Sequence, residues 1–350
     1  MHLNFTAPQM DSDSRVILLI YLTAKITFYC PIVIITIGTI GCFCNFITFT
    51  SRKLTSNSCS FYFLGAAICE LLTLYFGTFA RLLSNHFGFH LQDQSRAFCK
   101  IRLYLINVSP AMATCCIVLA AMDRYLSTST KLVYRSFATI KRAKWITSFS
   151  LTICILSYIH FIVFSDLKPT CALLSGSYNI FTVVYAIVWT SFIPYSLMLC
   201  FGFGTYHHIH ATKRRIFPVH TQQRRIQRTE TQLVTITLCE VGISCFLIFL
   251  RLTYYSYNVI AMGMEKTTYE STLEFFFSQL TTQLFYLNYA KSFYVYTLCS
   301  KYFRAIFIGR IKKICHRLIS CCTNHRGKLQ ETSIIRSNRI LQTRHMQSNF

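Results

Sequence analysis

Charged side chains stand in this sequence where water is hard to reach. Asp123, Arg124 and Tyr125 close a long apolar run that begins near Phe98, while Glu70, Glu240 and Lys291 each interrupt an apolar run of their own. An arginine at the end of an apolar helix needs a partner. The adjacent carboxylate supplies one at the water boundary, which makes Asp123 and Arg124 a latch candidate. The plainer reading is a chance tripeptide whose arginine reaches for lipid headgroups. A carboxylate or ammonium in mid-span is expensive and marks an ion site, a proton path or an internal ion pair. Lys291 has two candidate counter-ions, Glu240 and Glu70; the alternative is that it extends into a water-filled cleft and pairs with nothing.

Other chemistry finds little support. His207, His208 and His210 sit in a short basic stretch at a helix end, and no Cys/His set at structural-zinc spacing accompanies them. The sequence has no Walker loop, no HExxH and no GxSxG, so an enzyme and a metal centre are not expected. The 17 cysteines are scattered, most of them inside apolar runs where Cys acts as a small hydrophobe.

The elements that must position these residues follow from composition. Hydrophobic residues make up 53% of the 350 and charged residues only 13%, against about a quarter charged in ordinary soluble domains. Such a chain belongs in a bilayer. Measured against the roughly 20 apolar residues a spanning helix needs, seven runs emerge: Phe28 to Thr50 (or from an earlier start, since Val16 to Tyr21 is also apolar before Lys25 interrupts), Phe61 to Leu83, Phe98 to Leu126, Trp145 to Phe164, Tyr178 to Tyr206, Leu233 to Tyr255 and Leu273 to Leu298. The expected fold is an all-α membrane protein, a seven-helix bundle. With the N-terminus outside, the cytoplasmic connections carry two, six and six lysines and arginines, and eleven more follow Ser300. That asymmetry sets the orientation and explains a net charge of +23 as a basic inner face for anionic lipid and an acidic partner. Nucleic acid is not an expected partner, because no soluble basic domain is present.

Residues 1–27 are expected outside, without a removed signal peptide, and Asn4 heads a glycosylation tripeptide. After the bundle (28–300), segment 301–322 places Phe303, Phe307, Ile311, Ile314 and Leu318 on one helical face, the pattern of an amphipathic helix on the inner membrane surface. Cys315, Cys321 and Cys322 beside it are palmitoylation candidates or free cytoplasmic thiols. Residues 323–350 read as a disordered cytoplasmic tail.

Seven spans, an outside N-terminus, the Asp-Arg-Tyr sequence at the inner end of the third span and an amphipathic helix after the seventh together resemble the rhodopsin-like G-protein-coupled receptors. The resemblance covers about residues 28 to 320, and its finer aspect is that of divergent invertebrate peptide-type receptors. It implies a disulfide between Cys99, 25 residues before Arg124, and Cys171. Gly41 and Asn45 match the family's first-helix pattern, and Pro194 its fifth-helix proline. Ser292-Phe293-Tyr294-Val295-Tyr296 stands in place of NPxxY, with Ser for Asn and Phe for Pro and the tyrosine kept; Asn288 lies one turn before it. The sixth span lacks the tryptophan and proline of CWxP.

The resemblance assigns roles. Arg124 pairs with Asp123 at rest, Glu230 being a second resting partner, and is released with Tyr125 and Tyr296 to engage a heterotrimeric G protein. Glu70 stands where the family binds a sodium ion, together with Asn288 and Ser292, but Ala113 replaces the third-helix hydroxyl and weakens that site. Lys291 paired with Glu240 or Glu70 would then do part of the holding. The position of the amine-binding aspartate is Ile106, followed by Asn107, and that of the Schiff-base lysine is Tyr286, so amine and light sensing are disfavoured. Asn107 and Tyr286 are expected to line the pocket of an extracellular ligand such as a neuropeptide. Glu265, Glu270 and Glu274 could receive a basic peptide group, opposed by Arg96, Lys168 and Lys266. The protein is thus expected at the plasma membrane. The alternatives are an ion or proton transporter built on Glu70, Glu240 and Lys291, and a receptor-like protein that does not couple.

Overall fold

The computed structural model describes residues 7–52, 54–55, 57–89, 94–129, 131–167, 171–173, 177–213, 221–261, 264–317 and 319–320, without the side chains of 7–13, 172, 179, 210–213, 221–230 and 259. It divides into two units, Met1–Phe303 and Arg304–Phe350. The second is described through residue 320, and its residues up to 317 belong to a helix that begins at 301.

The first unit is a helical bundle, as a chain in hydrocarbon must be if its backbone groups are to be paired internally. Its helices of eight or more residues are α1 (Ala7–Phe49), α2 (Ser58–His86), α3 (Arg96–Thr128), α4 (Ile140–Val163), α5 (Ser177–Lys213), α6 (Thr221–Ile260), α7 (Thr268–Ala290) and α8 (Ser292–Cys299). Six of these contain a stretch long and apolar enough to cross a membrane among the described residues. Their hydroxyls are absorbed by the helix itself: Thr48, Thr73 and Thr237 each donate to the carbonyl four residues back, at 2.7, 2.8 and 2.9 Å. The protein is a multi-pass membrane protein. Trp145, Phe149 and Phe203, at 80%, 69% and 73% exposure, make sense only against lipid.

Three boundaries depart from the apolar runs. α1 begins at Ala7 and not near Phe28; Lys25 does not interrupt it, because its ammonium lies over the rings of Tyr21 and Tyr29, at 5.2 and 5.6 Å. α6 extends well before Leu233, so its polar first turns prolong a helix whose apolar part alone matched a span. The seventh span is two helices meeting at Lys291, whose carbonyl accepts from the amides of Tyr294 and Val295 at 3.0 and 3.1 Å. α7 buries a polar set, Gln279, Thr281, Thr282, Gln283 and Asn288.

α3 packs against α2, α4, α5 and α6, and α1 packs against α2 and α7. Two π-helical segments, Leu74–Phe79 in α2 and Ala186–Phe192 in α5, shift the register within those helices. In the first, Gly77 is pressed against the Tyr286 ring, and any Cβ there would overlap it. After α4, Ser165–Leu167 (β1) and Cys171–Leu173 (β2) form an antiparallel ladder with Leu167 opposite Cys171. The expected disulfide between Cys99 and Cys171 is present and ties this ladder to the start of α3, where Arg96 also meets Asp166 at 2.8 Å. The bundle thus has a disulfide end and, at the far end of α3, an Arg124 end.

Candidate functional site

The charged residues of the apolar runs converge at mid-bundle. Lys291, at the break between α7 and α8, points its ammonium at three acceptors: Glu240 Oε1 at 2.6 Å, Ser244 Oγ at 2.9 Å and the Asn288 carbonyl at 3.0 Å. Three N–H donors therefore meet three oxygens. Glu240 and Ser244 share a face of α6 because they are four residues apart. Ser292, the first residue of α8, donates to Glu70 Oε1 on α2 at 2.5 Å, and its hydroxyl lies 3.4 Å from Glu240 Oε1. One serine thus bridges the two carboxylates. Glu70, Glu240 and Ser292 are buried, at 3%, 1% and 2% exposure. The set carries two carboxylates against one ammonium, and Glu240 Oε2 and Asn288 Oδ1 are buried without a partner. A small cavity bordered by Glu70, Ala113, Thr114, Glu240, Ser244 and Asn288 adjoins it.

These residues fit a sodium ion poorly. Lys291 already brings a fixed positive charge to Glu240, one serine away from Glu70. A second cation would have to bind beside the first.

At the Arg124 end, Arg124 Nη2 lies 2.6 Å from Asp123 Oδ2, with the side chains 2% and 4% exposed. The same Nη2 donates to Asn57 Oδ1 at 3.4 Å. Asn57 is the N-cap of α2, accepting from the Cys59 amide at 2.9 Å, so one amide oxygen serves both the cap and the guanidinium. Tyr125 faces α5, its ring 4.9 Å from His208 and 5.8 Å from Phe201, against Gly204, where a Cβ would come within 2.7 Å. Tyr296 of α8 is buried among Phe63, Phe303 and Phe49, at 4.9, 5.7 and 5.8 Å, and its hydroxyl has no partner.

With two buried ion pairs placed along a helical bundle, the comparison with known proteins decides the family. Residues 42–291 match the model of the 7 transmembrane receptor (rhodopsin family). The chain belongs to that family. No curated protein matches the chain closely enough to count as a relative. The family match ends at Lys291, one residue short of the Ser292–Tyr296 stretch where the sequence departs from NPxxY.

Other expected site residues of the receptor lie elsewhere. Tyr286 is packed among Ile34, Leu74 and Ala290, on the side of α7 that faces α1 and the π segment of α2. Asn107 turns its amide back to the Leu103 carbonyl of its own helix at 2.8 Å. Asn45 is buried on α1, with Oδ1 unpartnered and no hydrogen bond to Glu70 or Asn288 among the described residues. Asn288 bonds across to Tyr195 of α5, at 3.4 Å. Cys315 is an exposed free thiol. Along the 301–317 helix Phe307, Ile311 and Ile314 are half-buried, whereas Lys312 and Lys313 are exposed. Asn4, Cys321, Cys322 and the side chain of Glu230 lie outside the described residues, as does Lys168.

Sequence reasoning missed Asn57, Ser244 and Tyr195, whose roles depend on which helix faces which. It also missed Arg81 and Arg251, which stand inside the second and sixth apolar runs. The signal there was the one that drew attention to Lys291, a lone cation in an apolar segment.

Proposed function

We propose that this receptor sits in the plasma membrane with its N-terminus and disulfide end outside, and passes the binding of an extracellular ligand to a heterotrimeric G protein. Residues 301–322 lie on the inner membrane surface, and 323–350 form a cytoplasmic tail. The supporting observation is the buried Asp123–Arg124 pair held against Asn57 at the start of α2. A buried ion pair is a poor stabiliser compared with apolar packing, but it is well suited to a switch: it locks one arrangement and frees a guanidinium in the other. Ligand binding shifts the population toward a state in which the inner end of α6 moves out, Asp123 lets go and Arg124 meets the partner. The basic inner connections attract that partner and anionic lipid alike.

The cluster at Lys291 supplies the second restraint. By joining α6 to the α7–α8 break, it does the holding that the missing sixth- and seventh-helix prolines cannot. The test is ligand-independent G-protein activation in cells at matched surface expression. Asp123→Asn is expected to raise basal signalling and Arg124→Ala to abolish it; a receptor indifferent to both changes does not use this latch.

A further inference from the structure

Two arginines stand in the parts of α2 and α6 nearer the disulfide end, and neither meets a carboxylate among the described residues. Arg251 of α6 donates to Thr282 Oγ1 at 2.8 Å and Tyr255 OH at 2.6 Å, and its guanidinium lies 4.7 Å from the Tyr255 ring and 5.1 Å from the Phe285 ring. Arg81 of α2 donates to Gln279 Oε1 at 3.0 Å. Every one of these acceptors is neutral. A guanidinium has five N–H groups and a charge that cannot be shed, so most of both donor sets stay open and neither charge meets an anion among the described residues.

The two cations approach the same place. Gln279 and Thr282 are neighbours one turn apart on α7, so Arg81 from one side and Arg251 from the other reach adjacent positions on one face. Gln279, Thr282 and Gln283 are buried there, and Gln283 Oε1 has no partner. Three of the described carboxylates at this end are engaged by the protein itself. Asp166 holds Arg96 at 2.8 Å, Glu274 holds Lys266 at 2.7 Å and Tyr257 at 3.0 Å, and Glu270 accepts from the Thr267 amide at 2.8 Å. Of the three acids that could receive a basic peptide group, Glu270 and Glu274 are thus used by the protein itself, whereas Glu265 is exposed.

We propose that the face of α7 carrying Gln279 and Thr282, reached by Arg81 of α2 and Arg251 of α6, binds a carboxylate of the ligand, with Arg251 and Arg81 as its two anchors and the Tyr255 and Phe285 rings bracing the Arg251 guanidinium. The planar fork of arginine matches a carboxylate in a bidentate fit that a lysine cannot reproduce. A peptide's free C-terminus and a small organic acid present the same chemistry. This inference rests on the reading of the protein as a receptor with its disulfide end outside, but it is tested by binding, without a G protein.

The full-length protein in nanodiscs is heated in sodium benzoate and in sodium chloride of equal ionic strength, and the unfolding midpoints are compared with those of Arg81→Gln/Arg251→Gln. Benzoate should raise the wild-type midpoint by several degrees and leave the double variant unmoved. Without benzoate the double variant should melt no lower than wild type, having shed two uncompensated charges. Arg251→Lys, which keeps the charge and loses the fork, should show a smaller benzoate shift. Diphenylalanine and its C-terminal amide separate the two sources: a shift by the acid beyond benzoate's and none by the amide identifies a peptide terminus, whereas a shift by benzoate alone identifies a small acid. Equal benzoate shifts in wild type and double variant, or a double variant that melts well below wild type or fails to fold, would make the arginines structural and overturn the proposal. The Arg124 signalling assay is independent of all these readings, so failure of one proposal is distinguishable from failure of the other.

Discussion

Lys291 and Glu240 offer the most exacting test of how this receptor holds its helices together. Their charges are 2.6 Å apart with side chains 9% and 1% exposed. At an effective dielectric of about 20 that separation gives about 6 kcal/mol of attraction. Taking each ion out of water costs several kcal/mol, so the intact pair nets little over two well-packed neutral groups, whereas either ion alone is left uncompensated at a cost of about 3–5 kcal/mol. Lys291→Met should be the worse single change, because Glu240 then keeps its charge at 1% exposure with Oε2 already unpartnered. Glu240→Gln leaves the ammonium Ser244 Oγ and the Asn288 carbonyl. Lys291→Met/Glu240→Gln, which removes both charges, should recover to within about 1 kcal/mol of wild type. Read as the apparent unfolding midpoint of the full-length protein in nanodiscs, at about 2 °C per kcal/mol for a chain of this size, the singles should fall by about 6–10 °C and the double by about 2 °C. A double variant that loses the sum of the two single losses would refute the reasoning, because the two residues would then act independently.

Three further outcomes are expected. Cys99→Ser or Cys171→Ser opens a loop of 72 residues and should cost about 4 kcal/mol on the chain-entropy estimate, seen as a collapse of surface expression that reductant reproduces in wild type. Gly77→Ala drives a methyl into the Tyr286 ring and should cost about 1–3 kcal/mol in apparent unfolding stability, with Tyr286→Leu in the same chain restoring much of it. At the start of α7, the Thr267 backbone amide and then its hydroxyl hold the Glu270 carboxyl below its ordinary value of 4.5. A depressed folded-state value means that the cap's contribution is present above the ordinary carboxylate range and is lost as pH falls through the folded value. Amide exchange protection of residues 268–271, corrected for intrinsic rate, should therefore drop on acidification below about 4 and be independent of that acidification in Glu270→Gln, whose amide oxygen still accepts from Thr267.

Much of the candidate site was visible in the residue types alone. Glu70, Glu240 and Lys291 stood out because charges in apolar runs are rare enough to need a reason. Which carboxylate Lys291 meets was open, since both lie at similar depth and only the rotation of each helix about its axis decides. The structure puts Lys291 on Glu240 and inserts Ser292 between Glu240 and Glu70, a three-helix arrangement that no spacing along the chain encodes. Helix rotation also decides that Tyr286 packs toward α1 and the π segment of α2. Lys25 misled for a different reason: a cation read as an interruption is housed by flanking tyrosines.

The sequence by itself determined the membrane and the apolar segments that cross it, because hydrocarbon imposes length, apolarity and internal backbone pairing on every such segment. Those are one-dimensional requirements and a one-dimensional chain must display them. Only the tertiary structure decided the partners: Asn57 beneath Arg124, Ser244 beside Lys291, and Gln279 and Thr282 drawing Arg81 and Arg251 to one face of α7. Those pairings depend on packing angle, π-segment register and the break at Lys291, and each is fixed by contacts between residues far apart in the chain.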